Sequence, residues 1–399
     1  MQISKRTASI RPSLTLAITA KAKKLRQEGK KIINLAAGEP DFDTPEPVQK
    51  AGVKAIEENF TRYTPVAGIG DLIEAIIKKF KQDNNLDYLP SQIVVGNGAK
   101  QIIYNAIQAV CNPGDEVIIP TPYWVSYPEQ VKLAGGVPVY VSLDFEKELK
   151  INLEELKRVI HPEKTKAIIL NTPHNPTGGV FSKDELEKIA QIIEPYPILV
   201  ISDEIYEKFS YEVPHVSFAS LGESIYKRTL TVNGVSKTYG MTGWRIGYAG
   251  GPEEIIQAMI RIQSHSTSCA SSISQKAAVA ALSQSTGECT KWIGEYEHRR
   301  KIVKDRLKKI KGVKINKPQG AFYIFPDFTN FLGLTYEKGQ IKNSFDLANY
   351  LLEEANVAVV PGSAFGAEGY LRISYAVSEE EIKEGLERMR EALDKLRRV

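Results

Sequence analysis

The sequence predicts an α/β protein with a large domain, in which a mostly parallel sheet lies between helices, and a smaller α+β domain. From residue 165 onwards, strand-like apolar runs alternate with helical segments, and this spacing implies parallel strands joined by right-handed crossovers. After about residue 290 the pattern changes to a long charged helix and shorter strands. We therefore expect an N-terminal segment over 1–44 that packs with the small domain, a large domain over 45–290 and a small domain over 291–399.

The composition is that of an ordinary soluble globular protein, with 42% hydrophobic and 25% charged residues among 399. The net charge of +4 is too small to argue for nucleic acid or a membrane surface as a partner. Three cysteines form neither a disulfide framework nor a metal-binding spacing, so we expect no metal and a reducing compartment. The sequence starts without the apolar core of a signal peptide, and no apolar run approaches the ~18–20 residues of a membrane span. These features predict a cytosolic location.

In the first part of the chain, loops with glycine and proline separate the predicted elements. Helices are predicted over 16–28, 47–58 and 72–83, and strands over 93–95 and 116–119. Gly38 lies in a loop of the kind in which the backbone closely approaches another group. Tyr63 lies in a second loop and has no obvious place in a core, so it is either a simple surface tyrosine or a functional one.

A glycine-rich turn at 96–101 connects a predicted strand to an apolar helix. This arrangement directs free backbone N–H groups towards an anion, although the third glycine of the dinucleotide-binding pattern is missing. Trp124 follows the next strand. A tryptophan is more often a core residue, but one beyond the carboxyl end of a strand can line a cleft.

Three polar residues, Asn175, Asp203 and Lys237, each follow the carboxyl end of a predicted strand. The strands cover 166–170, 198–201 and 229–232. Ligands of parallel sheets bind at this edge, so the convergence is more informative than any one residue. An isolated aspartate there would more often cap a helix.

Lys237 lies in a small, hydroxyl-rich loop between two predicted buried strands, the second starting at Arg245. It is either a surface lysine in a turn or an amine nucleophile that forms a Schiff base with a carbonyl, as in pyridoxal phosphate enzymes. Arg245, eight residues further on, is a candidate partner for an anion.

The C-terminal part is predicted to alternate short strands and amphipathic helices. A charged helix is expected over 291–311 and capped helices are expected from Ser344 and Ser378, with strands over 322–325, 357–360 and 371–375. Arg372 lies inside the last strand, where an arginine should be paired. It forms either a structural ion pair or a ligand contact.

Together these residues resemble the fold-type-I pyridoxal phosphate aminotransferases of class I and II. The resemblance is greatest to the bacterial branch of aspartate aminotransferases, some of which also act on prephenate. It runs from the Arg-Pro-Ser-Leu-Thr stretch at 11–15 to the Leu-Arg-Ile-Ser stretch at 371–374. The resemblance implies a homodimer with shared active sites and pyridoxal 5'-phosphate as the cofactor.

The resemblance also assigns cofactor contacts. Lys237 matches the lysine that carries the cofactor, and Asp203 matches the partner of its ring nitrogen. The remaining matches are the partners of the phenolic oxygen, Tyr206 and Asn175; the stacking aromatic, Trp124; the phosphate site, Gly98, Ala99, Lys100 and Arg245; and Tyr63, which reaches the phosphate of the other subunit. Many relatives have a phosphate-binding serine where this chain has Gly234, and Ser236 is the candidate replacement.

For the substrate, the resemblance assigns the α-carboxylate to Arg372, assisted by Asn175, Trp124 and the Gly38 backbone. Many relatives hold the distal carboxylate with an arginine from the neighbouring subunit, but the corresponding stretch, 264–268, contains none. Lys100 is the candidate replacement, with Thr15 and Arg11 closing over the substrate; alternatively, Lys100 only neutralises the cofactor phosphate.

The expected reaction transfers the amino group of L-aspartate to 2-oxoglutarate and gives oxaloacetate and L-glutamate. The alternatives within the family are a prephenate aminotransferase and one of broader specificity for aromatic amino acids or alanine. A non-transaminating enzyme such as a decarboxylase is disfavoured, because Arg372 would grip the group that decarboxylation removes. A non-catalytic regulator that binds the cofactor is disfavoured because the chain has no length to spare for a DNA-binding domain.

Overall fold

The computed structural model describes residues 3–12, 14–144, 150–283 and 287–398. The helices are α1 Lys5–Ala8, α2 Leu14–Gln27, α3 Glu46–Glu57, α4 Gly70–Asn84, α5 Ala99–Val110, α6 Ser126–Leu133, α7 Leu153–Val159, α8 Lys183–Ile193, α9 Glu223–Tyr226, α10 Glu253–Ser264, α11 Ser272–Ser283, α12 Gly287–Leu307, α13 Ser344–Glu354 and α14 Glu379–Leu393. The strands are β1 Ile33–Asn34, β2 Ile93–Gly96, β3 Glu116–Thr121, β4 Val137–Asp144, β5 Lys150–Ile151, β6 Thr165–Asn171, β7 Leu199–Asp203, β8 Thr229–Gly234, β9 Gly247–Gly250, β10 Tyr323–Ile324, β11 Thr335–Tyr336, β12 Gly339–Gln340, β13 Val357–Ala358, β14 Val360–Pro361 and β15 Leu371–Ser374.

The largest sheet has eight strands in the order β2-β9-β8-β7-β6-β3-β4-β5. The strands from β4 through β3, β6 and β7 to β8 are parallel, while β9 runs antiparallel to both of its neighbours. The prediction of a mostly parallel sheet within an α/β fold is therefore confirmed. The strand predicted to start at Arg245 begins at Gly247, because Arg245 adopts the left-handed conformation (φ 59°) that precedes the strand.

Both faces of this sheet are buried under helices, which explains the nearly continuous apolar runs of its strands. Successive side chains of β3 show the two faces directly. Val117 and Ile119 pack in a cluster with residues of α5 and α10, whereas Ile118 packs in another with residues of α7 and α8. Because β-strand side chains alternate, one strand thus contributes to two separate cores.

The N-terminal and C-terminal parts of the chain share a third core. Ile18 and Ile33 lie in the same buried cluster as Val357 and Leu386, and β1 pairs with β13 in parallel. A three-stranded sheet of order β10-β15-β14 carries Arg372 in its central strand. These contacts agree with the expected packing of the N-terminal segment, while the domain boundaries themselves stay a prediction.

Several predicted elements differ in detail. The strand expected over 357–360 is two short strands, because β13 pairs with β1 while β14 pairs with β15. The helix expected from 291 begins at Gly287, and Asn343 rather than Ser344 caps α13 by accepting a hydrogen bond from the Asp346 N–H. The capped helix expected from Ser378 is confirmed, because Ser378 and Glu381 form a capping box at the start of α14. A second Ser–Glu capping box begins α8. None of the helices within the described ranges is both long and apolar enough to cross a membrane.

Candidate active site

A cavity of roughly 520 Å³ lies at the carboxyl edge of the parallel strands. Its lining includes most of the predicted site residues, namely Thr15, Gly38, Ala99, Lys100, Trp124, Asn175, Asp203, Tyr206, Ser236, Lys237, Arg245 and Arg372. The predicted convergence of three strand ends is therefore observed. An adjoining cavity of roughly 820 Å³ shares Thr15, Lys100, Trp124 and Arg245 and adds Arg11.

Lys237 occupies a turn that follows β8, and its amine points into the cavity. Its Nζ donates a hydrogen bond to the Gly38 carbonyl oxygen at 2.6 Å and lies 5.8 Å from the centre of the Tyr206 ring. Removal of water by the surrounding protein, together with the positive charge of Arg372, lowers the pKa of Lys237 to about 8. An appreciable fraction of the amine is therefore neutral, and thus nucleophilic, at physiological pH.

Asp203 ends β7 and is almost completely buried. Tyr127 of α6 donates a hydrogen bond from its hydroxyl to Asp203 Oδ2 at 2.6 Å, and the Ile205 N–H reaches Oδ1 at 3.3 Å. Burial raises the pKa of Asp203 to about 6 despite these two hydrogen bonds. The carboxylate is thus fixed in direction and largely ionised at neutral pH, which suits a partner for a protonated ring nitrogen. Tyr127 was not predicted from the sequence.

Arg372 and Asn175 meet across the cavity although they lie 197 positions apart in the sequence. Arg372 Nη1 donates to Asn175 Oδ1 at 3.0 Å, and Nη2 donates to the Ala36 carbonyl oxygen at 2.9 Å. The guanidinium lies over the rings of Tyr323 and Phe365, at 4.4 and 5.2 Å from their centres. No carboxylate pairs with this buried cation in the part of the chain that the structure describes, so the predicted alternative of a structural ion pair is not observed.

Tyr206 is buried beside the amine of Lys237, and its hydroxyl shares a hydrogen bond of 2.9 Å with the hydroxyl of Tyr323. Burial, followed by the neighbouring Tyr323, raises the pKa of Tyr206 well above its usual value. The phenol therefore stays protonated and can donate a hydrogen bond to an oxygen in the cavity. Like Tyr127, Tyr323 was missed, because an apolar aromatic pattern predicts only a buried side chain.

The turn before α5 and Arg245 bring together, at one end of the cavity, groups that are suited to binding an anion. Gly98 has φ 86°, and a Cβ at this position would lie 2.4 Å from Arg245 Nη2, so only glycine permits this approach. Ala99 is the first residue of α5 and presents the free N–H end of the helix. Arg245 donates to the carbonyl oxygens of Thr242 and Asn97 and keeps an exposed side of its guanidinium.

Ser236 lines the cavity, whereas Gly234 has no room for a side chain. A Cβ at Gly234 would lie 2.9 Å from the Ile246 carbonyl oxygen and 3.1 Å from Gly247 Cα. The close pairing of β8 with β9 therefore explains why a serine is absent at 234. Ser236 supplies a hydroxyl on the same loop without this conflict.

The side chain of Lys100 is exposed and its amine lies 5.0 Å from the centre of the Trp124 ring. The surrounding protein removes part of the water around the Lys100 amine, and this lowers its pKa. The positive charge of Arg245 lowers the pKa further. Arg11 is held further out by Glu129, which accepts a hydrogen bond from the Arg11 N–H at 3.1 Å and lies 3.6 Å from its Nε. Arg11 therefore does not line the smaller cavity, and Ser13 of the same stretch lies outside the described residues.

Tyr63 is the predicted site residue that the structure places away from both cavities. It is 92% exposed when only the described residues of the single chain are considered. Its predicted contact is with another subunit, so a single chain does not test it.

The charges of the 520 Å³ cavity fit a phosphorylated cofactor and an anionic substrate. Four basic side chains, from Lys100, Lys237, Arg245 and Arg372, and two acidic ones, from Glu39 and Asp203, line it. The buried Nε of Arg372 also lacks a partner among the described residues. An amine nucleophile, a buried carboxylate and a helix N-terminus in one cationic cavity are the groups that pyridoxal phosphate requires. The fold and site thus define a cofactor-dependent transferase.

Comparison with known proteins identifies the family. The chain belongs to the family described as "Aminotransferase class I and II", whose model matches residues 30–389. It is therefore a pyridoxal phosphate-dependent aminotransferase with the type I fold of these enzymes.

Individual relatives are similar over almost their whole length. An aspartate aminotransferase of Bacillus sp. (strain YM-2) is 48% identical over 97% of this chain and 98% of its own. A probable aspartate/prephenate aminotransferase of Rickettsia bellii is also 48% identical, over 99% of both chains. The crystal structure of the aspartate aminotransferase from Rhizobium meliloti superposes with a TM-score of 0.95 at 45% identity, covering 100% of both chains.

Proposed function

We propose that this protein is an aspartate aminotransferase, which transfers the amino group of L-aspartate to 2-oxoglutarate. The observation that carries the proposal is the cavity that holds the Lys237 amine and the Asp203 carboxylate together with a buried, unneutralised Arg372. Full-length relatives that are 46–48% identical and named aspartate aminotransferase support the choice of substrate.

When bound, pyridoxal phosphate supplies an electron sink for the electrons of a broken Cα–H bond. Asp203 would accept a hydrogen bond from the protonated ring nitrogen and so keep that nitrogen positively charged. Tyr127 fixes the direction of the carboxylate by its 2.6 Å hydrogen bond. Tyr206 and Asn175 would bond the phenolic oxygen, and Trp124 would orient the ring.

The phosphate group is held by the turn at Gly98 and Ala99, by Arg245 and by Ser236. Lys237 would hold the cofactor through its amine. Its Nζ would also be the base that takes the proton from the substrate Cα and the acid that returns a proton. The low pKa of about 8 suits both steps, because the amine exchanges protons near neutral pH.

Arg372 binds the α-carboxylate of the substrate. Its guanidinium is already oriented by Asn175 and Ala36, so little conformational entropy is lost on binding. Gly38 lines the same cavity, and its backbone N–H would assist Arg372 in holding the carboxylate. This grip on the group that a decarboxylase would remove favours transamination.

Lys100 holds the distal carboxylate of aspartate, and Thr15 and Arg11 close over it. Lys100 and Thr15 line both cavities, so they lie where a substrate side chain would extend from Arg372. Prephenate is a second candidate substrate. The adjoining cavity of roughly 820 Å³ offers space for its ring, and two relatives, from Aquifex aeolicus and Rickettsia bellii, are named probable aspartate/prephenate aminotransferases.

The active protein is a cytosolic homodimer in which Tyr63 of one subunit completes the phosphate site of the other. The exposed tyrosine, and the exposed apolar residues Val53 and Ile56 on α3, support a covered surface in this region.

Purified protein with pyridoxal phosphate should be assayed against a panel of amino acids with 2-oxoglutarate as the acceptor, and against prephenate with aspartate or glutamate as the donor. We expect aspartate to give the highest kcat/KM among the donors. A preference for an aromatic amino acid or alanine over aspartate by tenfold or more would contradict the proposal.

A further inference from the structure

A buried network of charges lies directly behind Asp203. Glu204, the residue directly after β7, is fully buried, and its carboxylate lies on the same side of the chain as the Ser202 side chain that it bonds. Its Oε1 accepts hydrogen bonds from the Ser202 hydroxyl at 2.8 Å, the Ser217 hydroxyl at 2.9 Å and the Phe218 N–H at 3.2 Å. All three donors are neutral, so they do not cancel the charge of Glu204.

His215 is the partner that can cancel this charge. Its Nε2 lies 3.0 Å from Glu204 Oε2, and only about 10% of its side chain is exposed. The other buried acid nearby, Glu207, has its own cation, because it forms an ion pair with Lys79 and accepts a hydrogen bond from Asn84 at 2.8 Å.

Charge balance favours the protonated imidazole. With neutral His215, the two glutamates and Lys79 carry a net charge of −1 in a buried site; protonation of His215 makes the group neutral. Burial alone would lower the pKa of His215, but the hydrogen bond to Glu204 and the negative charge of Glu204 raise it overall. One oxygen each of Glu204 and Glu207 and one nitrogen of His215 lie within 4.8 Å of one another, a spacing that a metal ion could also occupy. The carboxylates are instead already bonded by protein groups, from Ser202, Ser217, Lys79 and Asn84.

We propose that His215 is a positioning residue that acts through Glu204: protonated His215 neutralises Glu204 and thereby keeps Asp203 ionised for the ring nitrogen of the cofactor. This inference rests on the proposed role of Asp203. A bare Glu204 carboxylate beside Asp203 would disfavour a second negative charge, and the charge of Glu204 already contributes to the raised pKa of Asp203.

Other charged and titratable side chains also surround Asp203 and Glu204. The titratable or charged side chains around the two acids are Lys79 and Asp83 of α4, Tyr88, Tyr127 of α6, Tyr206, Glu207, Lys208, Lys237, Tyr239 and Tyr248. The tyrosines are neutral, since burial raises the pKa of each of Tyr88, Tyr127, Tyr206, Tyr239 and Tyr248. His215 is thus the group whose protonation compensates the negative charge of Glu204.

The test uses charge removal and its rescue. His215→Gln keeps a hydrogen-bond donor but cannot be charged, and the double variant Glu204→Gln/His215→Gln removes both charges. The probe is pyridoxamine phosphate, which binds without a bond to Lys237. Its affinity for cofactor-stripped protein is measured between pH 5 and 8 by quenching of tryptophan fluorescence. Binding should weaken towards low pH, and we call this part of the pH profile the acid limb. In His215→Gln we expect the midpoint of the acid limb to move up by about one pH unit.

The double variant should return the limb to its wild-type position, which a merely structural role of His215 would not do. His161→Gln is the matched control, because His161 forms a similar pair with Glu116 at 2.7 Å on the surface, away from the cavity. Asp203→Asn should abolish the limb; if it does not, the proposed role of Asp203 fails. An unmoved limb in His215→Gln, or a shift that persists in the double variant, overturns only the role of His215.

A measurement on the wild-type holoenzyme keeps the inference testable if the variants do not fold. The chain has five histidines, so their imidazole signals can be assigned by nitrogen-15 NMR. We expect His215 to remain protonated at pH 7. An imidazole that is neutral at pH 7 while the enzyme is active would overturn the proposal.

Discussion

The amine of Lys237 donates a hydrogen bond of 2.6 Å to the carbonyl oxygen of Gly38. This contact joins the loop after β8 to a loop 199 residues earlier and directs the amine into the cavity that also contains Asp203 and Arg372. The main-chain oxygen thus holds the amine in place before the cofactor arrives, and the first prediction follows from this arrangement.

Lys237→Ala should remove the covalent attachment of pyridoxal phosphate, because the Lys237 amine is the one that the Gly38 carbonyl oxygen holds in the cavity. We expect loss of the pH-dependent visible absorbance and of nearly all turnover, and no borohydride-reducible adduct. In the wild-type protein, the rate of cofactor capture by stripped enzyme should rise with pH through a midpoint near 8, since the neutral amine is the nucleophile. Lys227→Ala, on the surface, is the control. A reducible adduct at full stoichiometry in Lys237→Ala would refute the assignment.

Asp203→Asn preserves the shape of the side chain and removes its charge. It should bind the cofactor but lose a factor on the order of 10² or more in kcat, equivalent to roughly 3 kcal/mol of transition-state stabilisation. Steady-state kinetics with aspartate measure the loss. Turnover within a few-fold of wild type would show that the ring nitrogen does not depend on this carboxylate.

The same substitution should change stability in a pH-dependent way. Burial raises the pKa of Asp203 from 3.8 to about 6, so the folded cofactor-free protein binds this proton more tightly than the unfolded chain does. As the pH rises from about 4 to 6, the free energy of unfolding of the wild type should therefore fall relative to that of Asp203→Asn. A shift of about two units limits the fall to about 3 kcal/mol. Urea denaturation at both pH values would reveal it, and a constant difference would be evidence against the raised pKa.

Lys100→Ala should separate the two predicted roles of this lysine. If Lys100 holds the distal carboxylate, kcat/KM for aspartate should fall tenfold or more relative to kcat/KM for alanine, which has no such group. Lys132→Ala, whose amine is bonded to Glu129, is a matched control on the next helix. An equal loss for both substrates with weaker cofactor binding would mean that Lys100 serves the phosphate.

Tyr63→Ala and Lys237→Ala chains should complement each other in a mixed dimer. One site of that dimer would take Lys237 and Arg372 from the first chain and Tyr63 from the second, because Lys237 and Arg372 line the same cavity within one chain. Co-expression with two affinity tags and assay of the mixed species would measure the recovery. A second mixed dimer, formed from Asp203→Asn chains and Tyr63→Ala chains, is a suitable comparison because it too would rebuild one complete site. Mixed dimers no more active than the parent Tyr63→Ala protein would exclude a shared site.

Much of the site could be predicted because its chemistry is attached to strand ends. Asp203 ends a strand, Lys237 and Asn175 follow strands, and parallel strands bring such positions together. Tyr127 and Tyr323 could not be predicted in the same way, because each reaches the cavity from an element whose pairing or packing depends on distant residues. A buried aromatic side chain reads as core until its hydroxyl is seen bonded to Asp203 or Tyr206.

The fold shows the same division. Long buried strands and capped helices were predicted closely, whereas β4 and the helices α6, α10 and α11 were not. β4 has several exposed or half-buried side chains, and its place in the sheet comes from pairing with β3 and β5. The antiparallel direction of β9 likewise depends on a tertiary turn, to which no periodicity in the sequence corresponds.

The sequence separation of 336 between Ala36 and Arg372 has a consequence for the order in which the site is assembled during translation. The lysine, the acidic partner of the ring and the phosphate turn all belong to the first 245 residues, and they emerge from the ribosome before β15 exists. The nascent chain therefore acquires a place for the cofactor first and a receptor for the substrate carboxylate last. A chain stopped before residue 371 would carry the machinery for capturing an aldehyde without the arginine that selects an amino acid.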